Sequence, residues 1–232
     1  MAHSAVETSP KDSLKQGFGA DPILLIVTVV ILAIGIVMVT SSSYMIAAGK
    51  YGDGFYYTKK QGLAMMLGLG LMLALSRVPL DFWRKASAPL LAAGVFSLIL
   101  VLIPGIGTEL GGSHRWIKAP LGFYVQPSEF IKYAVIIFFA RSLAKKGEGI
   151  RDFAIGFLPH VLVIGLVVLL LLLQPDFGSA VIVAVVGFLM LFVAGVRLQH
   201  LLGSVILCLP FLFHIAVSAN YRMARIRSFL DP

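Results

Sequence analysis

Pro22-Ile23-Leu24-Leu25-Ile26-Val27-Thr28-Val29-Val30-Ile31-Leu32-Ala33-Ile34-Gly35-Ile36-Val37-Met38-Val39-Thr40 runs without a single charged residue. A helix needs about 20 predominantly apolar residues to cross the hydrocarbon of a bilayer, and this run supplies them. Its apolar residues do not alternate with polar ones, so the span is a helix rather than a barrel strand. The composition extends that reading to the whole chain: 59% of residues are apolar, mean hydropathy is +0.94 and only 13% are charged. The fold class expected is all-α, a polytopic helical membrane protein.

Four further clear spans follow, at Gly62 to Leu75, Leu90 to Ile103, Leu158 to Leu173 and Ser179 to Val196. Two weaker ones bring the count to seven. Glu129 to Ala144 has an apolar centre, Tyr133 to Ala140, too short to span without cover from neighbours. Leu201 to Ser218 carries Pro210 and His214 and is expected to kink near the proline. Residues 1–20 are polar, contain no apolar signal core and read as a disordered cytoplasmic tail, so the first helix reads as an uncleaved anchor. The transmembrane domain then occupies 21–232, with an external loop at about 104–127. Cys208 is the sole cysteine and sits mid-span, which excludes an internal disulfide and a thiolate cluster. No inverted repeat is evident, and Gly62, Gly68 and Gly70 of the second span lack the four-residue spacing of a close-packing motif.

Against this oily background stand Gly111-Gly112-Ser113-His114-Arg115-Trp116 and Gln126-Pro127-Ser128-Glu129, with Lys132 one turn later. Charges beside hydrocarbon cost several kcal/mol, so Arg115, Glu129 and Lys132 are expected to face a protein interior or a water-filled cavity. Glu129 and Lys132 lie three apart and can pair, either as a structural ion pair or with Lys132 holding an oxyanion that Glu129 positions. Pro127 suits a helix start and Ser128 is the expected cap. Gln174-Pro175-Asp176-Phe177-Gly178-Ser179 joins two spans without a real loop, so Asp176 is either an N-cap or a carboxylate sharing a compartment with Arg115. His160 and His214 read as satisfied interior residues.

Placing the N-terminus inside puts ten Lys and Arg in cytoplasmic segments and eight outside, three of the eight being Arg222, Arg225 and Arg227 near the last residue. The outward cations then need a reason. An anionic ligand at the outer face supplies one for Arg115. For Lys59 and Lys60, beside Phe55-Tyr56-Tyr57, interfacial anchoring to lipid is the plainer reading. Membrane lipids are thus expected partners, and nucleic acid is not.

Gly111 to Ile117 followed by Gln126-Pro127-Ser128-Glu129-Phe130-Ile131-Lys132 resembles the core signature of the SEDS family, the bacterial proteins of shape, elongation, division and sporulation. Three other segments agree with it: Val37 to Ser43, taken as the end of the first helix, Gln174 to Ser179, and Tyr221 to Pro232. The run from Met38 to Ser43 and the extended N-terminal tail look more like the family's division member than its elongation member. The resemblance covers about Asp21 to Pro232.

The resemblance implies a peptidoglycan glycosyltransferase that polymerises lipid II at the outer face of the bacterial cytoplasmic membrane, at the division septum. Its implied partners are a cognate class B penicillin-binding protein and other division proteins. A sugar hydroxyl attacks an anomeric carbon while a lipid diphosphate departs, which requires a carboxylate base and cations at the leaving group. By resemblance, Arg115 and Lys132 occupy basic positions that hold diphosphate. Glu129 and Asp176 occupy acidic positions lining a central cavity, where they position groups or help hold a divalent cation, Mg or Mn. Gln126, Ser128, Trp116 and Lys118 complete the expected substrate-binding set. Family members have about ten membrane helices of bilayer-spanning length, and the catalytic aspartate lies in an external loop that the match puts beyond Pro232. Asp231 is therefore not assigned that role, and the 232-residue chain by itself is not expected to polymerise lipid II. Two other classes stay open: a lipid II flippase or other transporter, and a non-catalytic scaffold for the penicillin-binding protein. An elongation role instead of division is the third alternative.

Overall fold

The computed structural model describes residues 22–110, 113–118 and 124–207. The expectations for the tail, Cys208, Pro210, His214 and the Arg222 to Arg227 cluster lie outside the described residues. The chain divides into two compact units, one ending at Leu80 and the other starting at Asp81.

The first unit is a helical hairpin of α1 (Pro22–Tyr51) and α2 (Tyr56–Leu75). α1 does not stop at Thr40 or Ser43. Hydroxyls in the middle of the helix bond back to carbonyls one turn earlier, which satisfies them within an apolar helix and lets it run on. Thr40 Oγ1 donates to Ile36 O at 2.7 Å and Ser43 Oγ to Val39 O at 2.6 Å. Thr40 and Thr58 hydroxyls also meet at 2.9 Å, fastening α1 to α2, and Gly62 faces Ile36. Gly68 and Gly70 face open space, in keeping with their spacing.

The second unit begins with α3 (Leu80–Leu102), continues through a small sheet and then stacks α4 (Pro127–Lys146), α5 (Leu158–Leu173) and α6 (Phe177–Val193). A 3-10 turn, Gly147–Arg151, and a π turn, Phe153–Phe157, connect α4 to α5, and α7 covers Leu198–Leu207 before the described residues end. Three helical stretches are long and apolar enough to cross a membrane among the described residues: Pro22–Tyr51, Leu80–Leu102 and Phe153–Leu173. α2 and α4, at 20 residues each, have a spanning length of about 30 Å. Helices therefore stand at six of the seven expected positions, and α7 covers the described beginning of the seventh, Leu201–Leu207.

α4 is the centre of the second unit, as its short apolar stretch requires. Ile131, Ala134, Val135 and Phe139 are all within 1% of complete burial, packed with Leu98 of α3, Val167 and Leu171 of α5 and Val183 of α6. Two glycines permit that approach. A Cβ at Gly94 of α3 would stand 2.5 Å from Ile131 Cδ1, and one at Gly187 of α6 would stand 2.6 Å from Ile164 Cδ1. Small residues let helices close on each other where no hydrophobic force favours helix over lipid. His160 is a satisfied interior residue, its ring nitrogens 2.7 Å from Gly156 O and 3.0 Å from Ser142 Oγ.

Within the segment expected as an external loop stands a three-stranded antiparallel sheet of β1 (Gly107–Leu110), β2 (Ser113–Lys118) and β3 (Tyr124–Val125). Short strands separated by glycines escape a reading keyed to apolar periodicity. Thr108 pairs with Trp116 and Glu109 with His114, so Arg115 is the extra residue of a β-bulge.

Candidate functional site

The bulge matters because an extra residue breaks the strict in-and-out alternation of a strand and re-aims a side chain. Here that side chain is Arg115. Its Nη1 lies 3.7 Å from Asp176 Oδ1, at the N-terminus of α6. Asp176 caps that helix, its Oδ1 accepting the Ser179 amide at 3.2 Å. It also does more than cap. Its Oδ2 accepts from Gln126 Nε2 and from Ser179 Oγ, each at 2.9 Å.

Three elements thus converge on one carboxylate: β2 through Arg115, the start of α4 through Gln126, and the α5–α6 turn that carries Asp176 itself. The carboxylate is 5% exposed. Burial pushes its carboxyl up, but hydrogen bonding by the Ser128 and Ser179 hydroxyls and the Ser179 amide, with the Arg115 charge, outweighs that and holds it below the usual carboxylate range. Asp176 is accordingly an ionised anchor.

Arg115 is held differently. At 3.7 Å its contact with Asp176 is an ion pair and not a hydrogen bond. Its Nε is buried with no hydrogen-bond partner among the described residues, while the side chain is 31% exposed. A guanidinium carries five donors in a planar fork suited to bidentate oxyanions. The arrangement is a cation fixed by charge, with its buried Nε donor uncommitted among the described residues.

Gln126, Ser128, Arg115 and Asp176 are therefore brought together, with Gln126 Nε2 also donating to Ser128 Oγ at 2.7 Å. Ser128 is not the cap of α4. The cap position falls on Gln126, and Pro127 takes the first turn, so Ser128 is carried into the helix and buried completely. Glu129 and Lys132 pair at 2.8 Å on α4, with Lys132 the less exposed partner at 20% against 58%. Trp116 is half-buried and Lys118 exposed on β2, and neither joins the Asp176 cluster through a hydrogen bond or ion pair. The His114 side chain lies outside the described residues.

Two members were missed. Ser179 sits three residues after the cap, a spacing that lets it bond back to Asp176, so Asp-Phe-Gly-Ser was the available signal. Gln174 is 1% exposed and donates to Leu98 O at 2.8 Å, tying the α5–α6 turn to α3. No local pattern announces a contact that long in sequence.

The site's fit to a divalent cation is poor in this arrangement. Both Asp176 oxygens are engaged by donors, Arg115 adds a positive charge beside them, and Glu129 is committed to Lys132. No cluster of three His, Cys, Asp or Glu of metal-holding geometry occurs among the described residues. No step is assigned to a metal here.

Comparison with known proteins bears directly on this chain. Residues 22–232 match the model of the FtsW, RodA and SpoVE family, described as cell cycle proteins. The probable peptidoglycan glycosyltransferase FtsW of Geobacter metallireducens is 40% identical over 96% of this chain and 59% of its own length. That of Saccharophagus degradans is 42% identical over 97% of this chain and 58% of its own. Thermus thermophilus RodA, a rod shape determining protein, superposes with a TM-score of 0.58 at 26% identity, over 78% of this chain and 58% of that one. A chain from a peptidoglycan synthase complex that coordinates polymerization and crosslinking superposes with a TM-score of 0.62 at 27% identity, over 87% and 58%. The chain thus spans under two thirds of the length of these relatives. It is a multi-pass membrane protein and belongs to the SEDS family of FtsW, RodA and SpoVE.

Proposed function

We propose that this chain forms the outer-face, diphosphate-handling part of a peptidoglycan glycosyltransferase that polymerises lipid II during division, in the bacterial cytoplasmic membrane with its N-terminus inside. The FtsW relatives support the reaction and the division role, and the synthase complex supports a class B penicillin-binding partner. The observation that carries the reading is Arg115, aimed by a β-bulge and held 3.7 Å from a buried carboxylate with its Nε unpartnered among the described residues.

A leaving diphosphate gains negative charge as the glycosidic bond breaks, and a cation preset at that place stabilises the transition state more than the ground state. Arg115 fills this role, with Lys132 on α4 as a second cation that releases Glu129 to meet the diphosphate. Asp176 positions Arg115. It is a poor general base, because its carboxyl is held low and both oxygens are taken. That agrees with the family pattern, which puts the catalytic aspartate in a loop beyond Pro232. The test is the equivalent of Arg115→Ala in a full-length relative: the protein folds and loses polymerisation by a hundredfold or more, on the order of one transition-state charge contact. A variant that folds and keeps full activity overturns the proposal, and leaves a scaffold as the better description.

A transporter would need a basic, partly buried pathway open to both faces; at the other end of the bundle Arg141 Nη1 donates to Ser87 Oγ at 3.0 Å and Ser142 meets His160. These groups are matched to one another, which is how a structural network behaves rather than a pathway awaiting cargo.

A further inference from the structure

Lys59 and Lys60 carry the same anchoring role in the sequence reading, and the structure separates them. Lys59 Nζ lies 2.8 Å from Asp53 Oδ2, and Asp53 Oδ1 accepts the Phe55 amide at 2.9 Å. That pair is neutral as a unit. Lys60 Nζ instead lies 5.2 Å from the Tyr56 ring centroid, and Lys50 Nζ lies 5.5 Å from that of Tyr51. Tyr51 and Tyr56 stack on each other at 4.0 Å and 16°, with Tyr57 edge-on to both. Neither Lys50 nor Lys60 has a carboxylate within ion-pair reach among the described residues.

Two ammoniums are therefore held on one phenol stack, at the end of a 30-residue apolar helix. Cation and ring attract each other, but the ring carries no net charge to neutralise the ammonium. We propose that Lys50, Lys60 and the tyrosines Tyr51, Tyr56 and Tyr57 form a seat for the phosphate headgroup of an anionic phospholipid. The phosphate meets both ammoniums, and the phenols sit at headgroup level as interfacial aromatics do. A zwitterionic headgroup fits less well. Its own cation would need a free carboxylate or an open ring face, whereas Asp53 is engaged and each stacked ring already faces its neighbour and a lysine.

The test uses the 232-residue chain in nanodiscs of equal phosphatidylglycerol and phosphatidylcholine, with the lipids it retains counted by native mass spectrometry. The chain keeps phosphatidylglycerol in preference. Lys50→Gln with Lys60→Gln lowers that retention about tenfold, Lys50→Arg with Lys60→Arg preserves it, and Lys59→Gln with Asp53→Asn, which removes the neutral pair without changing the net charge, leaves it unchanged. Equal retention of the two lipids by the unmodified chain overturns the proposal. So does a Lys50→Gln, Lys60→Gln variant that retains phosphatidylglycerol as before, or a Lys59→Gln, Asp53→Asn variant as damaging as that one. A melting temperature shared by the Gln and Arg double variants assigns the loss to charge rather than to unfolding.

Discussion

Asp176 shows how one residue can be read correctly in kind and still be underestimated. Its position before an apolar run marks it as a cap, and it is one. Its link to Gln126, fifty residues away, depends on packing that no local pattern encodes. Asp176→Ala strands the Gln126 amide and the Ser179 hydroxyl, and is expected to cost about 3 kcal/mol, seen as a lowered melting temperature in detergent. Asp176 also sets a pH dependence. Its folded pKa is depressed, so its contribution is fully present above the unfolded value of about 3.9 and is lost as pH falls through the folded one. Melting temperature should therefore hold steady from pH 8 to 5 and drop below about pH 4, with the Asp176→Asn variant showing a shallower acid drop. Asp53 is depressed by Lys59 and the Phe55 amide and titrates with the same sign, but its pair with Lys59 lies at the solvent-exposed surface and adds little.

Among the elements, α4 carries the packing, and Gly94 facing it and Gly187 facing Ile164 of α5 set the helix spacing. Its short apolar centre announced the need for cover, and the structure supplies it from α3, α5 and α6. Which glycines made room was not legible. Attention falls naturally on Gly62, Gly68 and Gly70 because they cluster in one span, whereas Gly94 and Gly187 are isolated in sequence and meet their neighbours only in the fold. Gly187→Val should destabilise by about 2 kcal/mol by overpacking Ile164, while Gly68→Ala, facing open space, should change the melting temperature by little. The small sheet was illegible for another reason. A two-residue β3 and a bulged β2 show no sustained alternation, so the polar stretch reads as loop although Arg115 owes its aim to that bulge.

For the whole molecule, the membrane class follows from composition alone, and helices stand where apolar runs were found. Helix ends moved most, because hydroxyl back-bonding carries α1 past its polar residues to Tyr51. Orientation rests on a charge count and can be tested directly. In a Cys208→Ser background, a cysteine at the exposed Lys118 position should react with an impermeant thiol reagent added outside intact cells, and one at Lys145 should react only after the membrane is opened. The reverse pattern would put the Arg115 site on the cytoplasmic side, away from the outer-face chemistry proposed for it.

The claim that Arg115 is an oxyanion donor poised by Asp176 is tested most directly by binding of a polyprenyl diphosphate to the 232-residue chain in nanodiscs, compared between the unmodified protein and Arg115→Ala. The account predicts at least about a tenfold loss of affinity, roughly 1.4 kcal/mol, with the melting temperature nearly unchanged and only partial recovery in Arg115→Lys, which lacks the planar fork. Equal affinity in the folded alanine variant would contradict it, and would leave the bulge and the buried carboxylate as parts of the scaffold alone.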